Sequence, residues 1–177
     1  MKVLVVVDAQ NDFITGPLGS QEARDAVPAI AKKIDAYLEA TDLVVFTQDT
    51  HYDNYMNTNE GKFLPVPHCK ENTWGWQVCS ELDCIAPHIS KFTFGCYDLP
   101  QELLLLASTC NETITEIELC GFCTDICVIS NALILKSVFA PMGIDIVVDA
   151  NACAGVTPEK HQAALEVMKS CQIIVKE

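Results

Sequence analysis

Residues 2–8 read KVLVVVD, a lysine followed by an unbroken run of Val and Leu closed by an aspartate. Successive side chains of a β-strand point to opposite faces, so a run without polar alternation asks for burial on both faces. A mainly parallel sheet with helices on either side supplies that. The rest of the chain fits this demand. EARDAVPAIAKKIDAYLEA (22–40) spaces Val27, Ile30, Ile34 and Leu38 along one side of a helix, and DLVVFTQD (42–49) is a second buried strand with a polar end. DLPQELLLLAS (98–108) opens with Asp and Pro as helices do; ITEIELCG (114–121) and GIDIVVDA (143–150) are strands. TPEKHQAALEVMKS (157–170) is a further helix, and CQIIVKE closes with a strand. Strand and helix alternating in this way imply right-handed βαβ units. The expected fold is a three-layer α/β/α, doubly wound, mainly parallel sheet of about six strands. A chain of 177 residues is expected to form one domain over 1–177.

Charge narrows the partners. With 24 acidic and 11 basic residues, the net charge is −13. Phosphate recognition needs clustered Lys and Arg, so nucleic acid and anionic membrane are poor partners and a small molecule is better. The start MKVLVVVDAQ has no cleavage site after its short apolar run, and no apolar stretch reads as reaching the roughly 18 residues of a membrane span. A cytoplasmic chain is therefore expected. In a reducing compartment its ten cysteines are expected to be mostly free thiols that pack as small hydrophobes.

In a doubly wound sheet, ligands gather at the C-terminal ends of strands. Three such ends carry chemistry: Asp8, the Asp49–His51 pair, and GFCTDIC (121–127). Gly121 allows a sharp turn, Thr124-Asp125 reads as a helix opening, and Cys127 falls in the first helical turn. Free N–H groups and the helix dipole there favour a thiolate and an oxyanion, as a nucleophile requires. Against this stands the buried structural thiol, the default for any single cysteine here. A zinc site from Cys120, Cys123 and Cys127 lacks a second ligand pair, and Cys123-x-x-x-Cys127 is not the Cys-x-x-Cys of a redox motif. Asp8 is the best candidate base, its alternative being a loop cap; Lys91 is a candidate cation, its alternative being a solvated side chain. Asp49, His51, Glu60 and His68 offer carboxylate and imidazole ligands suited to Zn²⁺, Mn²⁺ or Fe²⁺, or are polar residues of the irregular 49–97 segment.

VVVDAQNDF, TQDTH, PVPHC, SKFTFG and GFCTDICV occur in the order found in isochorismatase-like cysteine hydrolases, and the chain most resembles the nicotinamidases among them. The resemblance implies a triad of Asp8, Lys91 and Cys127 that hydrolyses a small carboxamide through a thioester. It also implies a cis peptide at Phe122–Cys123, with the Cys123 and Cys127 backbone N–H groups as the oxyanion hole. A divalent metal is implied at Asp49, His51 and His68. Many relatives carry another His where this chain has Tyr55, and Glu60 matches a carboxylate that some use instead. Phe13 and Phe94 match positions of the substrate pocket, with Phe94 where Tyr is frequent; both also read as plain core aromatics. The family resemblance further suggests a homo-oligomer. Ammonia release from nicotinamide is the leading expectation. A carbamoylsarcosine-type amide or ureido hydrolase is the alternative, and a non-enzymatic thiol or zinc protein, or a catalytically silent module on this fold, stands behind both.

Overall fold

A computed structural model describes residues 1–177. Six strands form one sheet: β1 (Lys2–Val7), β2 (Leu43–Asp49), β3 (His88–Lys91), β4 (Glu116–Phe122), β5 (Asp145–Ala154) and β6 (Ile174–Lys176). Every pairing is parallel and the spatial order is β3-β2-β1-β4-β5-β6. The helices are α1 (Asn11–Ile14), α2 (Gln21–Glu39), α3 (Asn59–Phe63), α4 (Leu99–Thr109), α5 (Ile129–Phe139) and α6 (Pro158–Ser170). Helix α2 lies against β1, β4 and β5, while α5 packs on β5 with α4 and α6 beside it, giving the expected three layers. The apolar run that opens the chain is buried on both faces: Val3 to Val7 are all 0 % exposed. Its central place between β2 and β4 explains why no polar alternation was tolerated.

Local chemistry sets the element ends. The Ser20 hydroxyl accepts the Ala23 N–H and caps α2, and Thr157 caps α6 through the Lys160 N–H, with Pro158 in its first turn. Along α2, Val27, Ile30 and Ile34 are buried as the spacing predicts, but Leu38 faces solvent and Tyr37 takes the inward position. The reason is a polar anchor: the Tyr37 hydroxyl donates to buried Glu118 at 2.7 Å. Glu118 also holds Lys33 at 2.9 Å and Lys176 at 3.2 Å, so one carboxylate ties α2, β4 and β6 together.

One reading of the sequence needs correction. The stretch Thr124–Met142 forms one continuous helical segment of 19 residues with mean hydropathy 1.5, long and apolar enough by composition to cross a membrane. Its apolar character is used on the sheet, where Leu135 and Phe139 are fully buried. That helix opens at Thr124-Asp125, where the sequence puts it, but neither side chain caps it. It opens with a π turn over Thr124–Val128, the Cys123 carbonyl accepting from Ile126 and Val128 at 3.1 Å each. Both side chains reach sideways to the start of α6: the Thr124 hydroxyl bonds His161 Nδ1 at 2.8 Å, and Asp125 accepts the Val156 N–H at 2.9 Å.

Candidate active site

The strand order reverses at β1, whose neighbours lead away in opposite directions, and a crevice opens at the C-terminal ends there. Asp8 follows β1, and the turn into α5 follows β4 beside it. Asp8 takes a left-handed conformation (φ 47°), unusual for a residue with a side chain and typical of functional positions. Gly121 (φ 115°) lies so close to the Val7 carbonyl that a Cβ would collide with it; only glycine brings the cysteine turn against β1. The peptide between Phe122 and Cys123 is cis, where the resemblance put it.

The three expected catalytic residues meet. Lys91 Nζ stands 2.6 Å from Asp8 Oδ2, 3.5 Å from Cys127 Sγ and 3.1 Å from Asp49 Oδ1, and donates to the Thr93 carbonyl at 3.1 Å. Asp8 and Lys91 are almost wholly inaccessible and Cys127 is buried. Asp8 Oδ1 accepts from the Thr47 hydroxyl at 2.7 Å, while Oδ2 has only the ionic contact with the ammonium. Burial raises the Asp8 carboxyl above its usual range against the pull of Lys91, which suits a group that must take up a proton. Burial works to strip Lys91 of its proton, but Asp8, Cys127 and Asp49 together hold it firmly cationic. Burial also pushes the Cys127 thiol well up, Asp8 adds to this, and Lys91 offsets it only in part. Cys123, half-buried in the same wall, is raised by burial to about 12.

Next to the triad, Asp49, His51, Glu60 and His68 converge, one donor atom of each lying within 4.8 Å of the others. Asp49 ends β2, and His51 bridges to Lys70, which brings the 68–70 segment alongside. Glu60 comes from the first turn of α3, whose cap is the Thr58 hydroxyl on the Gly61 N–H. His51 Nε2 lies 2.9 Å from Asp49 Oδ2 and 3.5 Å from Glu60 Oε1; His68 Nε2 lies 3.4 and 3.7 Å from the same atoms. Ligands about 2.0–2.1 Å from a tetrahedral ion sit roughly 3.4 Å apart, a spacing these four separations bracket. Buried His51 Nε2 makes no hydrogen bond of ordinary geometry, and His68 Nδ1 is turned by the Val66 carbonyl at 2.9 Å so that Nε2 faces inward. The residues fit a divalent cation. Tyr55 is not part of the donor set: its ring packs edge-on against both imidazoles and its hydroxyl donates to the Leu64 carbonyl at 2.8 Å. Without an ion, burial disfavours a charged His51, but the Asp49 and Glu60 carboxylates beside it carry it up to about 9. Burial likewise works to raise Asp49, yet the two histidines and Lys91 bring it well below the carboxylate range.

Cys127, alone of the triad, and the whole donor cluster border one cavity of about 880 Å³, with Cys123 and Cys127 on one wall and Asp49, His51, Glu60 and His68 on another, while Asp8 and Lys91 lie behind it. Phe13 and Phe94 both line it, Phe13 buried edge-on to His68 and Phe94 46 % exposed at the mouth. Phe63, Leu64, Phe92 and Val156 complete an apolar rim. Sequence reasoning missed Thr47, Gln10 and Asn131, each buried and hydrogen-bonded at the site. A polar residue inside an apolar run was the available signal, since burial obliges it to find partners.

The isochorismatase domain pattern matches residues 2–176. The chain belongs to the isochorismatase family. Within that family it is 30% identical over 188 residues to a nicotinamidase/pyrazinamidase of Mycobacterium tuberculosis, covering 98% of this chain and 97% of that one. The nicotinamidase/pyrazinamidase of Bacillus subtilis superposes with a TM-score of 0.81 at 28% identity over the full length of both chains. A pyrazinamidase of Pyrococcus horikoshii, solved in complex with zinc, gives 0.81 at 26% identity, with 99% and 98% of the chains covered. An N-carbamoylsarcosine amidase of Thermoplasma acidophilum gives 0.76 at 25%, with 100% and 96% covered.

Proposed function

We propose that this isochorismatase-family chain is a cysteine amidohydrolase that releases ammonia from a small carboxamide, with nicotinamide the favoured substrate. One observation carries the reading: Asp8 and Lys91 converge on Cys127, which shares a single cavity with a carboxylate–imidazole cluster. The nicotinamidase relatives support the choice of substrate.

The chemistry follows from the groups present. As Cys127 sulfur bonds to the amide carbon, its proton passes to Asp8, and the carbonyl π pair moves onto oxygen. Lys91 stays cationic and offsets the charge gathering on sulfur. The backbone N–H groups of Cys123 and Cys127 receive the oxyanion. Collapse breaks the C–N bond, Asp8 returns the proton to the leaving nitrogen, and ammonia departs from a Cys127 thioester. Asp8 then takes a proton from water as its oxygen attacks the thioester; the acid leaves and Asp8 reprotonates the cysteine. A zinc, manganese or iron(II) ion held by Asp49, His51, Glu60 and His68, when bound, supplies a Lewis-acid contact for a ring nitrogen. Phe13, beside His68, offers that ring an aromatic edge.

The test is ammonia release from nicotinamide by purified protein, before and after chelation and metal add-back. Release that stops on chelation and returns with metal is expected. A second reading, an amide or ureido hydrolase of the carbamoylsarcosine type, is supported by the likeness to the N-carbamoylsarcosine amidase. Turnover of N-carbamoyl compounds by protein inert toward nicotinamide would select it. Absence of both activities in metal-replete protein would remove both readings.

A further inference from the structure

Two fully buried side-chain amides frame the site from opposite sides. Gln10 and Asn131 are each 0 % exposed. Gln10 stands beyond the last β1–β2 pair, Val7 with Thr47, and continues the ladder with its side chain. Its Oε1 accepts the Asp49 N–H at 2.8 Å; its Nε2 donates to the Asp49 carbonyl at 2.9 Å and to the Trp76 carbonyl at 2.8 Å. Asp49 is thereby held by its main chain while its carboxylate divides, Oδ1 to Lys91 and Oδ2 to His51 and His68.

Asn131, one turn beyond the cysteine, does the same for the other half. Its Nδ2 donates to the Cys127 carbonyl at 2.8 Å and the Phe94 carbonyl at 3.2 Å, and its Oδ1 accepts the Cys96 N–H at 2.8 Å. The segment it grips follows Lys91 directly and includes Thr93, whose carbonyl receives the Lys91 ammonium. Each amide has every donor and its acceptor engaged, each joins two separate segments, and one of those segments always bears a site residue. A side chain needed only to satisfy itself in the core has no reason to land on such a pair twice.

We infer that Gln10 and Asn131 are positioning residues with divided duties: Gln10 sets Asp49 for the metal ligands, and Asn131 sets the Cys127–Lys91 pair. The inference rests on the amidohydrolase reading above, but its test needs no substrate. The protein is stripped of metal, and two properties are measured in the parent, Gln10→Met and Asn131→Leu, substitutions that keep size and remove the hydrogen bonds. One is the affinity for cobalt(II), whose visible spectrum separates imidazole–carboxylate ligation from binding at the thiols. The other is the rate of Cys127 alkylation by iodoacetamide, located by peptide mapping.

Gln10→Met is expected to weaken cobalt binding at least tenfold, in line with the roughly 10–100-fold effects of residues that orient metal ligands, and to change the alkylation rate less than threefold. Asn131→Leu is expected to slow alkylation at least tenfold with cobalt affinity changed less than threefold. Each variant's unaffected property reports that it has folded. Where either fails to fold, Gln10→Ala and Asn131→Ala, which leave room for water, are read in the same way. Equal losses of both properties in both variants, tracking the melting temperature, would make the amides ordinary core residues and overturn the inference, as would unchanged values. A parent that binds no cobalt through imidazoles and shows no preferential Cys127 reactivity would instead bring down the amidohydrolase reading, and the inference with it.

Discussion

Replacing Asp8 with Asn separates what the carboxylate does for the proton from what it does for the fold. The substitution keeps size and lets Oδ1 go on accepting from Thr47, but it sets an amide against the Lys91 ammonium that now lies 2.6 Å away. Stripping a buried charge of its only partner costs about 3–5 kcal/mol. Lys91 retains Asp49 Oδ1 at 3.1 Å and the Thr93 carbonyl at 3.1 Å, so the loss falls nearer that of one charged hydrogen bond, about 1.5–3 kcal/mol. For a chain of this length that is a drop in Tm of roughly 3–12 °C. The effect on turnover is far larger. Removing a general base costs about 10²–10⁴ in rate, and Asp8 also returns the proton to the leaving nitrogen, so kcat/KM for ammonia release should fall by at least about 10³, or ~4 kcal/mol of barrier. Cys127 itself behaves differently. Burial and the Asp8 charge both keep its proton on, and Lys91 opposes them. Without Asp8, the ammonium answers to fewer anions and the thiolate gains. Alkylation of Cys127 at neutral pH should therefore be at least as fast as in the parent while turnover collapses. The assay is ammonia release alongside mass-mapped alkylation of the same samples. Alkylation lost in proportion to turnover would refute the reasoning, because Asp8 would then be acting through structure alone. A folded variant with more than a tenth of the parent turnover would refute it from the other side.

Other expectations follow from the same geometry. Cys127→Ala should abolish ammonia release, by at least about 10⁴-fold, while costing on the order of 1 kcal/mol in stability, as calorimetry would register. Metal affinity should climb with pH. His51, carried to about 9 without an ion, must lose its proton to bind, so affinity rises about tenfold per pH unit between 7 and 9 and then levels off. A flat profile in chelator competition would contradict this. Glu118→Gln should destabilise by about 2–3 kcal/mol, because Lys33 keeps Asp149 at 2.7 Å when its other anion is gone. Burial works to raise Glu118, but Tyr37, Lys33 and Lys176 hold it below the normal carboxylate range. Its contribution is therefore full above the unfolded value near 4.3 and lost as pH falls through the lower folded value; the stability gap to Glu118→Gln, followed by denaturant titration, should close on acidification and not on raising the pH.

Much of the fold was legible because its strongest signal is physical necessity. A strand such as 2–7, apolar on both faces, has few homes, and the helices at 21–39 and 158–170 announce themselves by periodicity and caps. The strand that carries Lys91 did not. It is four residues at the sheet edge, His88–Lys91, with one buried side chain, too short for a period of two to register. From the residues alone Lys91 is a candidate cation that could equally be a solvated side chain; only the topology, pairing Asp49 with Lys91, brings it under Asp8 and Cys127. Glu60 and His68 posed the same difficulty. Their meeting depends on the short α3 turn and on the His51–Lys70 bridge, neither with a periodic signature. The Thr124-Asp125 pair marks the helix start without capping it, for a more general reason. A capping residue is recognised by type, but its side chain bonds whatever lies nearest, and here α6 was nearer than the helix's own N–H groups. The upward push on the Cys127 thiol was likewise out of reach, since it comes from burial and from an aspartate 119 positions earlier in the chain.

The central claim is that Cys127 carries the acyl group during turnover, and acid-quenched mass spectrometry of the metal-replete protein mixed with nicotinamide tests it most directly. The account predicts a transient nicotinoyl adduct on the peptide bearing Cys127, formed no slower than ammonia is released and absent from Cys127→Ala. Ammonia released with Cys127 unmodified throughout, and still released by Cys127→Ala, would contradict it.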